Sequence, residues 1–283
     1  MVVYVLIVAL AVIAGIFSAV LLSTARARGQ LRPNLESVAL GGVTNFFDTL
    51  GIGSFAPTTA WIKLRKLVPD SFIPGTLNAG HSLPTIAQAL IFINLVSVDP
   101  WLLLACIAAA VAGSLAGAPV VVRLPIRRVQ AIVGIALLIA ALLYALKNLG
   151  RMPEGGTALT LTAGMFAVAV VAHFIMGALM AFGIGLYAPS LILLSLMGLN
   201  PTAAFPIMMG ACAFLMPISS LRFVRAERID LRVVIGLALG GIPLVLLAAL
   251  VVKSLPLQTI RWGVVAVVFY AAALLLRSAA RGK

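Results

Sequence analysis

Long apolar runs alternate with short charged clusters along this chain. Stretches without a charged residue cover 25 residues from Met1, 23 from Pro100, 67 from Gly155 and 20 from Val233. About 20 apolar residues cross the hydrocarbon core of a bilayer as an α-helix, so each stretch predicts at least one transmembrane helix, and the longest must enter the membrane more than once. The pattern therefore predicts an all-α membrane protein, a polytopic helical bundle.

We predict seven crossings. The first lies within residues 1–30. Its apolar core, 1–22, is too long for a signal peptide, has no basic residue ahead of it and is followed by Arg26 and Arg28. We therefore expect it to be retained as an extra N-terminal helix with its N-terminus outside. The other six predicted crossings are 74–98, 101–122, 129–146, 202–221, 233–252 and 258–276.

One seven-residue segment occurs twice. Gly51-Ile-Gly-Ser-Phe-Ala-Pro57 returns 132 positions later as Gly183-Ile-Gly-Leu-Tyr-Ala-Pro189. Such self-similarity predicts two repeats that share one fold, residues 31–150 and 151–283, within one membrane domain. After a one-residue deletion the match continues at an offset of 131, pairing Asp99 with Asp230 and Leu124-Pro125 with Leu255-Pro256.

Both copies of the segment are predicted to break a helix. Glycine adopts positive φ and leaves no side chain in the way, so Gly-Ile-Gly can end one helical arm, and Pro57 or Pro189 suits the first turn of the arm that follows. Folding the first copy into a hairpin that enters and leaves on the cytoplasmic side puts sixteen of the twenty basic residues inside, in agreement with the positive-inside rule. The four exceptions are Lys147, Arg151, Lys253 and Arg261.

Each repeat then contributes one hairpin and three crossings. An odd number of crossings turns the second repeat upside down, which is the inverted-repeat plan of secondary transporters. The arm before the second break, 157–182, is long enough to span the bilayer, whereas Arg32 and Glu36 shorten the arm before the first. The relative depth of the two hairpins therefore stays open.

Composition agrees with a membrane protein and argues against other classes. The chain is 63% hydrophobic and 10% charged, which is too apolar for a water-soluble globule of this length. Its net charge of +13 lies in clusters between apolar runs, so we expect the lipid bilayer and no nucleic acid as a partner. Cys106 and Cys212 fall inside apolar runs and predict neither a disulfide nor a redox motif. We expect no cofactor, no metal site and no enzymatic activity.

The two breaks predict an anion site. The N–H groups that follow each proline, at Thr58 and Thr59 in one copy and at Ser190 and Leu191 in the other, are expected to lack acceptors within the helix, and each helix start carries roughly half a positive elementary charge. Two such starts approaching from opposite faces favour a small anion at the midplane, with the hydroxyl groups as extra donors. The simpler alternative is that the glycines only let helices pack closely.

Polar residues also mark the helix that follows the first hairpin. It carries Thr76, Asn78, His81, Ser82 and Thr85. Because Asn78, Ser82 and Thr85 share one helical face, which a lipid-facing helix would avoid, we expect that face to line the pathway. The alternative is that these side chains bond to neighbouring helices.

Asp48 lies three residues before the first break, inside an apolar run. An intramembrane carboxylate is costly and usually functional, and a fixed negative charge beside an anion would repel it, so we predict a proton-coupling role for Asp48. The alternative is a hydrogen bond to Asn45 or Thr44 near the end of the arm. His173 is isolated among apolar neighbours and is expected to be a neutral, hydrogen-bonded core residue.

Two other functions stay open from the residues alone. An intramembrane serine protease would use Ser54 with His81, although the second copy has Leu186 at the serine position. A soft-metal transporter for copper would use sulfur ligands at helical spacing, although methionine is also an ordinary filler of apolar helices. Those sulfur residues are Met208, Met209, Cys212 and Met216.

The predicted substrate-binding residues surround the two breaks and the helix after the first hairpin. They are Gly51, Ile52, Gly53, Ser54, Pro57, Thr58, Thr59, Asn78, His81, Ser82, Gly183, Ile184, Gly185, Tyr187, Pro189 and Ser190.

These motifs resemble those of the TauE/SafE family of sulfite and organosulfonate exporters, also called the toluenesulfonate uptake permeases. The resemblance covers about residues 40–276 and consists of a glycine-rich break followed by a proline in each half, and of the small polar stretch Pro74-Gly-Thr-Leu-Asn-Ala-Gly-His-Ser-Leu83. It implies an ion-coupled, multi-pass permease of the inner (cytoplasmic) membrane that moves sulfur oxyanions or small sulfonates such as sulfite or sulfoacetate. Family members usually carry three glycines where this chain has Gly53-Ser54-Phe55 and Gly185-Leu186-Tyr187, so Tyr187 adds bulk and a hydroxyl donor.

Overall fold

The computed structural model describes residues 1–151 and 156–251, together with scattered positions between 262 and 280. It is 79% helix, and no strand occurs in the described residues, which confirms the predicted all-α class. The helices are α1 (Val2–Ala27), α2 (Leu35–Thr49), α3 (Phe55–Arg65), α4 (Ile73–Leu95), α5 (Pro100–Arg123), α6 (Ile126–Asn148), α7 (Ala163–Met180), α8 (Tyr187–Leu196), α9 (Ala204–Arg225) and α10 (Leu231–Val251).

The helix bounds agree closely with the predicted crossings. Helices α4, α5, α6, α9 and α10 begin and end within about four residues of the predicted limits, which is the usual uncertainty at helix ends. The last predicted crossing, 258–276, and the repeat partner Leu255-Pro256 lie largely outside the described residues, as do the basic residues Lys253 and Arg261.

Five helices in the described part of the chain are long and apolar enough to cross a membrane. They are Val2–Ala27, Pro100–Gly117, Ala163–Met180, Ala204–Arg225 and Leu231–Leu250. Large apolar side chains also cover the outer surface, for example Val8, Val12 and Ile16 on α1. Exposing so large an apolar surface to water is unfavourable, whereas lipid covers it without cost. The chain is therefore a membrane-embedded, multi-pass protein. The total of seven full crossings stays a prediction.

Each half contains a long helix, a glycine break and a short helix. The break after α2 contains Gly51 at φ +83° and Gly53 at φ +90°, and the break after α7 contains Gly183 at φ +85°. Residues that carry a side chain rarely adopt this left-handed backbone conformation, so glycine is strongly favoured at all three positions. The predicted helix breaks are therefore present in both copies, although Gly185 does not share the positive φ of its counterpart Gly53.

Each broken segment folds back on itself as a hairpin. At the mouth of the first hairpin, Glu36 at the start of α2 accepts a hydrogen bond from Nε of Arg65 at the end of α3, at 2.8 Å. At the mouth of the second, the backbone N–H of Asn200, after α8, donates to the carbonyl of Ala158, before α7, at 2.7 Å. Although α7 is long enough to cross a membrane, it therefore serves as one arm of a hairpin.

The two mouths lie near opposite ends of α4. The first is tied to the start of α10 by the backbone bond from Asn34 to Arg232 at 3.1 Å, and Asp230 beside it donates its N–H to Thr76 in the first turns of α4 at 3.3 Å. The second is tied to Asp99, which follows the end of α4 and donates its N–H to Leu159 at 3.0 Å. The hairpins thus point into the bundle from its two ends.

Helix packing repeats between the halves. Helix α2 packs along α10 and α7 along α5, while α4 and α9 pack against each other between these pairs. Glycines allow close backbone contact in both pairs, because a methyl group on Gly240 would collide with the carbonyl of Val38, and one on Gly113 with the carbonyl of Phe174. Close packing between these helices thus depends on glycines outside the two breaks.

Asp99 and Asp230, paired in the sequence by the 131-residue offset, perform the same task. The Asp99 carboxylate accepts hydrogen bonds from the N–H groups of Trp101 and Leu102 at the start of α5, at 2.7 and 3.0 Å. The Asp230 carboxylate accepts equivalent bonds from residues 232 and 233 at the start of α10, both at 3.0 Å. Both aspartates therefore act as helix N-caps, so the two residues that the 131-residue offset pairs have the same structural role.

Candidate functional site

The two helix breaks face each other inside the bundle. A methyl group on Gly53 would lie 4.0 Å from Cβ of Tyr187, and one on Gly185 would lie 3.5 Å from Cβ of Phe55. These two contacts are equivalent, because Gly53 and Gly185, and likewise Phe55 and Tyr187, are repeat partners. The chain thus brings the first turns of α3 and α8 together.

A small cavity lies between the breaks. The centre of a sphere the size of a water molecule can move through about 10 Å³ of this cavity, which is close to the volume that one bound water molecule requires. An anion of several heavy atoms therefore needs side chains to move before it can bind here. The lining residues are Asp48, Gly53, Ser54, Phe55, Thr85, Met180, Gly185, Leu186, Tyr187 and Met216.

Asp48 is the acidic residue of this cavity. It lies in the last turn of α2 and is only 2% exposed. One carboxylate oxygen accepts a hydrogen bond from Nε2 of Gln88 at 3.0 Å. The alternative partners that we considered, Asn45 and Thr44, bond elsewhere. The protein's own carboxyl group therefore occupies the place between the two helix starts where the sequence suggested an external anion.

Gln88 joins the two halves at this point, and the sequence analysis missed it. Its Nε2 donates to Asp48 and to Oγ1 of Thr49, both at 3.0 Å, and its Oε1 accepts the hydroxyl proton of Tyr187 at 2.6 Å. Gln88 is fully buried on α4. A signal was present, because Gln88 lies three residues after Thr85 and extends the polar face that includes Asn78 and Ser82.

His81 holds α3 against α2. Its Nδ1 lies 3.0 Å from Oδ1 of Asn45, and its Nε2 lies 3.1 Å from the hydroxyl of Thr58. The amide nitrogen of Asn45 donates to Gly41, so the Asn45 oxygen must accept, and Nδ1 must carry the proton. Nε2 then accepts the Thr58 hydroxyl proton. Thr58, which we predicted to donate to the substrate, donates to an imidazole in this structure.

His173 makes a similar contact in the second half, although it lies on a helix that does not correspond to α4. Its Nδ1 lies 2.8 Å from the carbonyl of Ala169, and its Nε2 lies 3.0 Å from the hydroxyl of Ser190, the repeat partner of Thr58. His173 is therefore a buried, hydrogen-bonded residue, as predicted. The Ser190 hydroxyl also donates to an imidazole and not toward the cavity.

The backbone donors differ from those predicted. The N–H groups of Thr58 and Ser190 bond to the carbonyls of Ser54 and Leu186, at 3.1 and 3.0 Å, so the prediction that they lack acceptors is wrong. The reason is that α3 begins at Phe55 and α8 at Tyr187, two residues before the prolines. The N–H groups without an acceptor inside the helix therefore lie earlier in each first turn.

Within the breaks, the chain closes back on the preceding helix. The N–H of Gly51 bonds to Asp48 and that of Gly183 to Met180, both at 2.9 Å. Ile52 and Ile184 bond to the preceding helices in the same way, at 3.3 and 3.4 Å. We predicted that these four residues contact the substrate, but their backbone N–H groups are used within the fold. Pro57 and Pro189 lie in the first helical turns as expected, and Thr59 is buried beside them.

Of the predicted polar face of α4, one residue lines the cavity and the others form hydrogen bonds within the fold. Thr85 lines the cavity, whereas the Ser82 hydroxyl donates to the carbonyl of Asn78 at 2.6 Å. The amide nitrogen of Asn78 donates to the carbonyls of Pro74 and Met180, at 2.8 and 3.1 Å, and thereby holds the end of α7. The alternative of bonds between helices thus applies to Asn78.

The two other functional readings can be compared with the geometry. Both ring nitrogens of His81 are bonded to Thr58 and Asn45, so His81 forms no catalytic pair with Ser54. The Cys212 thiol lies 3.5 Å from the sulfur of Met180, a contact between α9 and α7 that the sequence did not predict. No cluster of three His, Cys, Asp or Glu side chains able to hold a metal is found among the described residues.

Comparison with protein-family models, curated proteins and solved structures gives no match to this chain. The resemblance to the TauE/SafE family therefore rests on the two break motifs and their spacing.

Proposed function

We propose that this protein is a secondary-active permease that moves a small anion through the space between its two helix breaks. One observation carries this proposal: the first turns of two equivalent short helices meet inside a membrane bundle, around a buried carboxyl group. Helix starts attract negative charge, and irregular backbone at membrane depth is tolerated where it is buried in protein or lines a cavity. Broken helices that meet in this way are typical of transporters.

The two repeats are proposed to be inverted relative to each other in the membrane. The positions of the hairpin mouths near opposite ends of α4 support this arrangement, as does the distribution of basic residues. The first mouth is accordingly assigned to the cytoplasmic side of an inner membrane. Single-cysteine labelling in a background without Cys106 and Cys212 tests the topology: position 66 should react only from inside, and position 150 only from outside. Labelling of position 66 from outside would exclude the hairpin.

Asp48 is proposed to couple the anion to protons. An ionised carboxylate between the helix starts would repel a second anion, and protonation removes that repulsion. Anion affinity should therefore rise as pH falls, and anion and proton should move together. The direction of net transport then depends on the two gradients.

The substrate class is proposed from the TauE/SafE resemblance, namely a sulfur oxyanion or small organosulfonate. The experiment is to measure binding and proteoliposome uptake of sulfite, thiosulfate, sulfoacetate, taurine and acetate at two pH values. Acid-stimulated binding of at least one sulfur-containing anion is expected. Absence of binding for the whole panel would exclude the anion proposal.

A soft-metal transporter is the second candidate, favoured by the contact between Cys212 and Met180. Thiolate and thioether groups suit Cu(I), and Met216 lines the same cavity. Titration of the purified protein with Cu(I) against a competing chelator decides the matter. Tight binding that is lost in Cys212→Ser, together with no response to the anions, would favour this candidate.

A further inference from the structure

A directional chain of hydrogen bonds leads from the cavity to Asp48. The Tyr187 hydroxyl donates to Oε1 of Gln88, and Nε2 of Gln88 donates to Oδ2 of Asp48. Every donor in this chain points toward the carboxylate, which is the arrangement that an ionised Asp48 requires. The Tyr187 proton is thereby turned away from the cavity that its side chain lines.

We propose that Gln88 is a relay that reverses this chain when Asp48 binds a proton, and so makes the Tyr187 hydroxyl a donor to the substrate. This inference rests on the proposed anion-transport function. A protonated Asp48 can donate to Oε1 of Gln88 once the amide rotates by half a turn. The amide nitrogen then donates to the Tyr187 oxygen, and the Tyr187 proton is free to face the cavity. The rotation also ends the bond from Nε2 to Thr49, whose hydroxyl turns from the carbonyl of Asn45 to donate to Oε1. No proton leaves Tyr187 or Gln88, since the one proton taken up stays on Asp48.

If the hydrogen-bond chain reverses, protonation of Asp48 favours anion binding in two ways. It removes a negative charge, and it adds a hydroxyl donor contributed by α8 of the second half. Gln88 is suited to this role because an amide presents one acceptor and two donors on a group that can exchange them by rotation. A hydrogen bond to a charged acceptor such as the anion contributes more free energy than a hydrogen bond between neutral groups. The added Tyr187 donor is therefore a substantial part of the pH dependence of anion binding.

Other ionisable groups around Asp48 leave this assignment intact. On the elements packed against it, Tyr187 of α8 and Cys212 of α9 face the carboxyl group. His81 of α4 and His173 of α7 bond instead to Thr58 and Ser190.

The basic residues of α3 lie at the far end of that helix. Lys63 pairs with Asp70 and Arg65 with Glu36. The described ionisable residue of α10, Arg232, lies in the first turn of that helix, at the first hairpin mouth.

The first test uses infrared difference spectra of the purified protein, recorded between acid and neutral pH without any anion. The wild type should show a protonated carboxyl band, absent in Asp48→Asn, and a tyrosine band, absent in Tyr187→Phe. In Gln88→Leu the carboxyl band should persist while the tyrosine band disappears, because the connection is cut. A tyrosine band that persists in Gln88→Leu would overturn the relay, as would its loss in the control Ser220→Ala.

Ser220 is the matched control because it is the repeat partner of Gln88 on α9 and bonds to the carbonyl of Met216 at 2.6 Å. If Gln88→Leu does not fold, Tyr187→Phe and the wild-type spectra still decide the question. In that case a wild-type spectrum without a tyrosine band would overturn the relay.

The second test measures thiosulfate affinity at acid and neutral pH. Tyr187→Phe should weaken acid binding by about tenfold and leave neutral binding within about twofold, since the donor is available only after reversal. Wild-type pH dependence in Tyr187→Phe would overturn the relay but leave the permease proposal in place. Failure of the wild type to bind any anion, with the infrared bands as predicted, would instead remove the permease proposal and leave the relay as a proton-linked rearrangement.

Discussion

The two halves of the molecule share the same arrangement of helices, breaks and caps but carry different side chains around the breaks. Both contain a long helix, a positive-φ glycine break, a short helix and an aspartate-capped helix, and their hairpins meet as equivalents. In the first half the positions around the break carry polar side chains, whereas in the second half most are small or apolar. The pairs are Asn45 and Gly177, Asp48 and Met180, His81 and Ala213, and Gln88 and Ser220.

This difference shows which parts of the site depend on the duplication. The scaffold needs two copies, because each break packs on the helix that follows the hairpin of the other half. Gly51 lies against Phe205 of α9, and Gly183 against Pro74 of α4. The polar network needs only one copy, and α2 and α4 together carry it. Tyr187 is the second-half residue that completes the network, at a position where the first half has Phe55.

Replacing the acid of the first half should have the largest effect. Asp48→Asn keeps the size of the side chain and removes the titratable group, so anion binding should depend only weakly on pH and proton-driven accumulation should be lost. Proteoliposome uptake under an imposed pH gradient measures this. Asp70→Asn is the control, since Asp70 forms an ion pair at a helix end, and such a pair contributes about 0–1 kcal/mol. Full proton-driven uptake by Asp48→Asn would remove Asp48 from the mechanism.

The break glycines should respond differently to alanine in the two halves. Gly53→Ala should lower the free energy of unfolding by about 1–3 kcal/mol, because alanine is strained at positive φ. Gly185→Ala should be tolerated, since its φ is not positive and its methyl group would make an ordinary contact with Phe55 at 3.5 Å. Denaturant unfolding in detergent compares the two. Equal destabilisation would show that backbone conformation is not what separates them.

Leucine at the same positions tests the cavity and not the backbone. Gly53→Leu and Gly185→Leu should both abolish transport while the protein still reaches the membrane, because both positions line the cavity. Normal transport by both variants would mean that the glycines are packing residues.

The sequence predicted the helices and the breaks well, because hydrophobic runs, glycine and proline act locally. The predicted positions of the free backbone N–H groups were wrong. The prediction assumed that each short helix begins at its proline, whereas each begins two residues earlier. It also missed the partners of Asp48. Which helix faces Asp48 depends on packing between segments far apart in the chain, and nothing local to Asp48 indicates Gln88, forty residues away.

The histidine contacts should have similar energies in the two halves despite their different origins. Thr58→Val and Ser190→Ala each remove a hydroxyl that donates to a buried imidazole, so each should lower the free energy of unfolding by about 1–3 kcal/mol. His81 lies on α4 and His173 on α7, so these contacts were not copied by the duplication. Thermal unfolding in detergent measures both variants, and wild-type stability of either would show that its imidazole finds another donor.

The smallest effect concerns the helix caps. Bonds from the N–H of Leu102, from the Thr160 hydroxyl and from the N–H of Trp101 hold the pKa of Asp99 below its ordinary value of 3.8. A carboxyl group whose pKa is lower in the folded state stabilises the fold above its unfolded pKa, and this contribution is lost as pH falls through the folded pKa. Asp99→Ala should therefore cost about 1 kcal/mol or less at neutral pH, as expected for an exposed N-cap, and the difference from wild type should narrow in acid. Melting temperatures of the wild type and of Asp99→Ala, measured from neutral pH down through the folded-state pKa of Asp99, test this. A difference in stability that widens toward acid would mean that Asp99 stabilises the fold through something other than its charged cap.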